Sequence, residues 1–256
     1  MPLFWIIVVS FIAGAVNAVA GGGTFLTFPT LTGVAGLSER VANMTSTIGL
    51  WPGSAASVVA TRHEFRRLPV GMVISFSIIS LIGGGVGAWL LLNTTDAQFE
   101  LVIPWLLGFA TAIFACSRPI ARWAGRHHGG RSMKWTAFVA AIQIAVAVYG
   151  GYFGAGIGVL MLAGLSFAGL EDVHQMNALK VLLATLINLV AAIVFLFYPI
   201  NWSIAGAMAV ASIAGGFLGM VGARRVRPEQ LRLIIIGIGI CLTAFYFYKG
   251  YKPQRP

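Results

Sequence analysis

A lysine and two asparagines share one stripe of a predicted helix. Asn177, Lys180 and Asn188 fall within an arc of about 80° when successive residues are 100° apart. Two amides and an ammonium on one stripe can hold an oxyanion through charge-assisted hydrogen bonds. The pattern therefore predicts an anion site around Lys180. The alternative is a lysine that extends its ammonium from a helix end to the membrane interface.

A neutral stripe occupies the corresponding place in the first half of the chain. It contains Asn43, Ser46 and Ser54. We expect Asn43 and Ser46 to add polar contacts to the same bound anion. The alternative is that serine here permits close helix packing or bonds a carbonyl one turn earlier.

Two glycine-rich segments, residues 21–24 and 154–158, can present backbone N–H groups to the same substrate. N–H groups at a helix start carry positive partial charge, so they bind anions without a cationic side chain. Glycine that merely permits tight helix crossing is the alternative. The residues expected to bind here are Asn17, Gly22, Gly23, Thr24, Gly154, Gly156 and Ile157, with Gln143 as a further polar candidate.

The apolar stretches contain no acidic residue. The carboxylates lie at or beyond their boundaries: Glu39, Glu64, Asp96, Glu100, Glu171, Asp172 and Glu229. Cation transport and metal binding usually need charged oxygen ligands, so the sequence predicts neither a metal nor a cofactor. His174 is a candidate for proton coupling, although a solvated loop histidine is the simpler interpretation.

The composition is that of an all-α polytopic membrane protein. Of the 256 residues, 58% are hydrophobic and 9% are charged, against roughly 25% charged in soluble proteins. Seven stretches lack Asp, Glu, Lys and Arg, and they give ten segments when helices of about 20 residues are placed in them. These stretches are residues 1–38, 41–61, 68–95, 101–117, 135–170, 181–223 and 233–248.

Two of these stretches, 1–38 and 135–170, are short for the two helices that each must hold. Without a turn each leaves roughly 34 residues, or about 51 Å of helix, whereas two crossings of the membrane core need about 60 Å. Broken backbone at that depth must be buried in protein or line a wet cavity. We predict about eight full spans and two short or broken helices, in segments 25–37 and 157–170.

The chain resembles itself at a separation of about 133 residues. Gly21 to Thr24 falls on residues 154–157, Asn43 falls on Asn177, and Ser46 falls on Lys180. The ordered series predicts two five-segment repeats. The predicted divisions are a first repeat of residues 1–117, a basic linker of residues 118–134 and a second repeat of residues 135–256.

Cations in the short loops predict that the repeats are inverted. Loop 62–67 carries three arginines and its counterpart 198–202 carries none, whereas loop 93–100 is acidic and its counterpart 224–232 carries four arginines. The positive-inside rule then places the basic loops and the central linker in the cytoplasm and both termini outside. The tail cations Lys249, Lys252 and Arg255 oppose this count.

The formal charge of +10 follows from dispersed loop cations, which suit anionic lipid headgroups. A nucleic-acid surface would instead cluster cations with aromatic residues on one soluble face. We therefore expect membrane lipid as a partner and no nucleic acid. The sequence leaves the oligomeric state open, a homodimer included.

Inverted repeats with interrupted helices are typical of secondary transporters, whose sites lie near the midplane. The segments Asn17-Ala-Val-Ala-Gly-Gly-Gly-Thr24, Gly36-Leu37 and Gly150-Gly-Tyr-Phe-Gly-Ala-Gly-Ile-Gly158, with Asn43, Asn177 and Lys180, resemble the TauE/SafE sulfite exporter family. The resemblance covers nearly the whole chain. It implies a transporter of small sulfur-containing anions, such as sulfite or organosulfonates, in the cell inner membrane.

The membrane potential favours export over uptake. An inside-negative potential of 100 mV repels each negative charge by about 2.3 kcal/mol. An anion channel is the alternative function. An intramembrane enzyme is less favoured, because no known catalytic motif lies in the apolar segments.

Overall fold

The computed structural model describes residues 2–126, 133–170, 172–222 and 228–251. Within these ranges the chain forms ten α-helices, a 3-10 turn at Glu64–Arg67 and no strand, so the predicted all-helical fold is confirmed. The helices are α1 (Pro2–Val19), α2 (Thr24–Gly33), α3 (Glu39–Ala60), α4 (Val70–Leu92), α5 (Asp96–Arg126), α6 (Met133–Tyr152), α7 (Ile157–Phe167), α8 (Val173–Phe195), α9 (Trp202–Gly222) and α10 (Pro228–Tyr251).

Eight of these helices are long and two are short. Seven of the long helices in the described ranges are apolar enough to cross a membrane, and α3 has the length, 22 residues, but buries asparagine, serine and threonine. The short helices α2 and α7 have 10 and 11 residues, or about 15 to 17 Å of rise, too little for a core of about 30 Å. This division agrees with the sequence-based prediction.

Glycine turns separate each short helix from the helix before it. Gly21 has a φ of +76°, and Gly154 and Gly156 have φ values of +77° and +73°. Glycine adopts this left-handed region without the steric cost that other residues pay. The chain therefore reverses direction after α1 and again after α6.

Contacts between helix ends define what we call the first end of the bundle. Lys249, near the end of α10, lies 2.5 Å from a carboxylate oxygen of Glu39 at the start of α3 and 2.8 Å from one of Glu100 near the start of α5. Tyr198, which follows α8, donates a 3.2 Å hydrogen bond to the carbonyl of Leu92 at the end of α4. The starts of α3 and α5 and the ends of α4, α8 and α10 thus lie together.

The opposite side is the second end of the bundle. There the indole N–H of Trp135, at the start of α6, donates a 3.0 Å hydrogen bond to the carbonyl of Phe167, at the end of α7. Helices α6 and α7 therefore form a hairpin, the second hairpin, that starts and finishes at the second end.

Helices α1 and α2 form a first hairpin at the first end. Gly215 packs on Phe11 and Gly219 packs on Ala15. These contacts advance by four residues along both helices, so α1 runs parallel to α9, which begins at the first end after Tyr198. The hydroxyl of Thr32 in the last turn of α2 lies 3.3 Å from the hydroxyl of Tyr246 in α10. The two hairpins thus enter the bundle from opposite ends.

Helix packing follows an exchange of the two halves. Helix α1 packs on α9 as α6 packs on α4, and α3 packs on α9 as α8 packs on α4. Helices α3 and α8 also pack on each other, as do α5 and α10. Two oppositely oriented copies would produce this pattern, which supports the predicted repeat; its orientation in the membrane stays a prediction.

The predicted linker and its charges are only partly described. Helix α5 runs on to Arg126, so residues 118–126 continue a helix. Lys249, which opposed the predicted orientation, is compensated by two carboxylates at the first end. Other charges counted above lie outside the described residues: Arg131, Glu171, Arg224, Arg225, Arg227, Lys252 and Arg255.

The hairpins predict that residues at their returning ends face opposite sides of the membrane. Val34 and His174 are exposed, at the end of α2 and the start of α8. In a chain with Cys116→Ser and Cys241→Ser, we expect Val34→Cys and His174→Cys to react with an impermeant maleimide from opposite sides of oriented vesicles.

Two exposed loop positions serve as references for that labelling. Asn93→Cys reports the first end and His63→Cys the second end. Val34→Cys should react with the maleimide from the same side of the membrane as Asn93→Cys. His174→Cys should react from the same side as His63→Cys. If Val34→Cys labelled from the side of His63→Cys, the first hairpin would be wrong.

Close packing of α3 on α9 gives a second prediction. A Cβ atom on Gly53 would fall on the carbonyl oxygen of Ser212, whereas one on Gly206 in α9 would meet open space. We expect Gly53→Ala to lower the free energy of unfolding by about 1–3 kcal/mol, because α3 must move away from α9. Gly206→Ala should leave it unchanged or raise it by up to about 1 kcal/mol. Unfolding in detergent measures both, and a Gly53→Ala protein as stable as Gly206→Ala would contradict the packing.

Candidate functional site

The tips of the two hairpins meet inside the bundle. The backbone N–H of Gly158, in the first turn of α7, donates a 3.3 Å hydrogen bond to the carbonyl of Gly21. A Cβ atom on Gly21 would overlap the backbone of Gly158. Only residues without side chains allow this contact, so the glycines place the starts of α2 and α7 side by side.

Lys180 lies beside the tip of the first hairpin. Its ammonium donates hydrogen bonds of 3.1 and 3.2 Å to the carbonyls of Ala18 and Val19, at the end of α1. The last carbonyls of a helix have no partner within it, and a cation is favourable at that end of the helix dipole. Lys180 therefore caps the end of α1 from α8.

The ammonium of Lys180 does not extend to the interface. The residue is only 1% exposed and lies two turns into α8, which begins at Val173. The alternative of a lysine reaching the membrane surface is therefore wrong for this structure. Among the described residues, Lys180 is the only Lys, Arg, Asp or Glu that is buried.

A small cavity of about 10 Å³ adjoins the ammonium, which is about the room that one water molecule needs. In its polar wall, Asn17 donates a 3.1 Å hydrogen bond from Nδ2 to the Ser54 hydroxyl. The Ser57 hydroxyl donates to the Gly53 and Gly216 carbonyls. The cavity is lined by Asn17, Ala18, Gly21, Ser54, Ser57, Gly158, Lys180, Val181 and Ala184.

A second polar cluster lies between α3 and the second hairpin. The Asn43 amide donates a 3.0 Å hydrogen bond to the carbonyl of Tyr152, at the end of α6. Ser46 shares a 2.6 Å hydroxyl–hydroxyl hydrogen bond with Thr27 of α2. Asn43 thus serves the end of α6 as Lys180 serves the end of α1, although the two donors occupy different positions in the predicted repeat.

Several predicted residues of the glycine segments pack against side chains or backbone outside the cavity instead. A Cβ atom on Gly22 would meet Ile235 and Phe114, and one on Gly156 would meet Phe25 and Ala110. Gly23 packs on the carbonyl of Ala13, and Ile157 fills the space over Gly150. Gly22, Gly23, Gly156 and Ile157 thus lie outside the cavity, and Thr24, which begins α2, does not line it either.

The other polar candidates are spread along the bundle. Asn177 donates its amide to the sulfur of Met220, 3.8 Å away. Asn188 is buried beside the turn at Gly154, and Gln143 donates to Ser80 across α4 and α6. None of these residues lines the cavity beside Lys180. Their roles in binding stay predictions.

The sequence did not single out Ser57, nor the α1 carbonyls that hold Lys180. Ser57 follows Ser54 by three residues on α3, so helical spacing could have found it. The carbonyls carry no signal in the sequence, because every residue has one. Among the described residues no group of three His, Cys, Asp or Glu side chains could hold a metal ion.

Known proteins resemble the chain over nearly its full length. Proteins named "Probable membrane transporter protein" from Haemophilus influenzae and "Probable membrane transporter protein ORF9" from Sinorhizobium are each 25% identical to it, covering 94% of this chain and 92% and 91% of those proteins. A "Probable membrane transporter protein" of Xylella fastidiosa is 22% identical over 91% of the chain and 89% of its own length. No solved structure matches the chain.

The family model described as "Sulfite exporter TauE/SafE" matches residues 6–246. The match includes both hairpins, the Lys180 cavity and the apolar helices around them. The chain therefore belongs to the sulfite exporter TauE/SafE family and is a multi-pass membrane transport protein.

Proposed function

We propose that the protein is a secondary transporter that exports small sulfur-containing anions, such as sulfite or organosulfonates, across the cell inner membrane. The observation that carries this proposal is the buried Lys180 ammonium, which has a cavity beside it and no buried carboxylate among the described residues. A buried charge without a paired charge is costly. A transported anion supplies the missing charge.

The cavity wall suits a sulfur oxyanion. Lys180 has three N–H donors and two of them serve the carbonyls of α1, so one is left to point elsewhere. The Asn17 amide, which has two N–H donors and gives one to Ser54, adds a second donor in the same wall. The hydroxyls of Ser54 and Ser57 make the wall polar, although their hydrogens are directed to helix carbonyls. Charge-assisted hydrogen bonds from an ammonium are among the strong ones.

The cavity is too small for the proposed substrate. A space of about 10 Å³ suits a water molecule, whereas a sulfur oxyanion with several oxygen atoms is larger. Binding therefore requires that the hairpin tips at Gly21 and Gly158 separate. A site at the tips of two hairpins from opposite ends can then open to one side at a time, as alternating access demands.

The closed hairpin tips favour a carrier over the alternative channel. An open channel has a continuous wet path, whereas a hydrogen bond joins the hairpin tips at Gly21 and Gly158. Export follows from the membrane potential, which drives each negative charge outward by about 2.3 kcal/mol per 100 mV. We also propose that the central linker is cytoplasmic and that the loop cations face anionic lipid headgroups.

The test is sulfite flux by the purified protein in liposomes. Lys180→Met keeps the length of the side chain and removes its charge, so we expect sulfite affinity to fall about 10- to 100-fold, the worth of a hydrogen bond to a charged group. Lys134→Met is the matched control: Lys134 is exposed at the start of α6 and should leave flux unchanged.

Two further measurements complete that test. Because Lys180→Met leaves carbonyls of α1 without their donor, its unfolding temperature without substrate is recorded, and affinity is compared only in folded protein. Sulfite recovered on the far side should be chemically unchanged, as for a transporter. Folded Lys180→Met with wild-type sulfite affinity would overturn the proposed role of Lys180.

A further inference from the structure

The cavity beside Lys180 carries a single formal positive charge. The walls of this cavity come from α1, α3, α7, α8 and the turn after α1. Lys180 is the only charged residue among the lining residues. Apart from Lys180, the described charged residues of these helices and of the 3-10 turn beside α8 lie at the ends of the bundle. Examples are Glu39 at the first end, paired with Lys249, and Glu64 in the 3-10 turn that contacts α8, 3.9 Å from Arg67.

Helix dipoles add less than one full charge at this place. The tip of the first hairpin brings the negative end of α1 and the positive end of α2 together across residues 20–23, and these partial charges of about half an elementary charge largely offset each other. The start of α7, at Gly158, adds a positive partial charge of about the same size. The ammonium of Lys180 is thus the only full charge that a ligand must balance.

We propose that the site selects singly charged anions and rejects doubly charged anions of similar size and shape. This inference rests on the proposed function and deepens it. A monoanion beside Lys180 forms a neutral buried pair, whereas a dianion leaves one negative charge uncompensated in a desolvated site. Uncompensated buried charge is strongly unfavourable.

The rest of the wall supports the same class of ligand. Ala18, Gly21, Val181 and Ala184 present apolar or small groups to the cavity. Such a wall fits the carbon end of an organosulfonate, while a second anionic oxygen would find no cation there. For sulfite the proposal selects hydrogen sulfite over the dianion.

Methanesulfonate and sulfate form the matched pair that tests the proposal. Both are tetrahedral at sulfur and similar in size. In methanesulfonate a methyl group replaces one charged oxygen of sulfate, so methanesulfonate carries one negative charge and sulfate carries two. The measurement is competition with labelled sulfite for binding to the wild-type protein in detergent. We expect methanesulfonate to compete at a concentration at least about tenfold lower than sulfate.

Methyl sulfate separates charge from size, because it is larger than sulfate and carries one charge. It should compete better than sulfate. If sulfate competes as well as methanesulfonate, charge selection is overturned while anion transport stands. If methanesulfonate competes but methyl sulfate fails like sulfate, size decides and the proposal is overturned. If sulfite itself neither binds nor crosses the membrane, the proposed function fails first.

Discussion

The structure depends on how broken backbone is satisfied inside an apolar body. Helix α1 ends at Val19 within the bundle, where neither lipid nor neighbouring apolar side chains can bond its last carbonyls. The ammonium of Lys180 supplies the donors. In the other half the amide of Asn43 does the same for the end of α6. These contacts allow α1 and α6 to end inside the bundle.

Under the proposed function, one group links stability to binding. Two donors of the Lys180 ammonium hold the carbonyls of Ala18 and Val19, and the third would contact the anion. A ligand that drew the ammonium away would weaken the cap of α1, so occupancy of the site and the position of the first hairpin would be coupled. Such coupling is what a carrier needs, since a ligand shifts a conformational equilibrium only through contacts that differ between its states.

Helices α3 and α8 carry the polar groups because other helices shield them from lipid. Ser57 and Ser212 bond carbonyls across the α3–α9 contact, and Gly53 lets the two backbones approach closely. Small residues take the place of a hydrophobic driving force in such contacts. The polar helices are thus held by packing, and their buried faces are free to line a site.

The sequence by itself determined the membrane class and the eight long and two short helices, because these follow from apolar length and glycine. Helical period placed Lys180 on one stripe with two asparagines, but it left open whether the ammonium is buried or reaches the membrane interface. The sequence did not determine that Gly22 and Gly156 face apolar side chains or that Asn177 meets Met220. It also could not assign Lys180 to the end of α1. Helical period fixes a residue's angle about its own axis, whereas the neighbour at that angle is decided only when the helices pack.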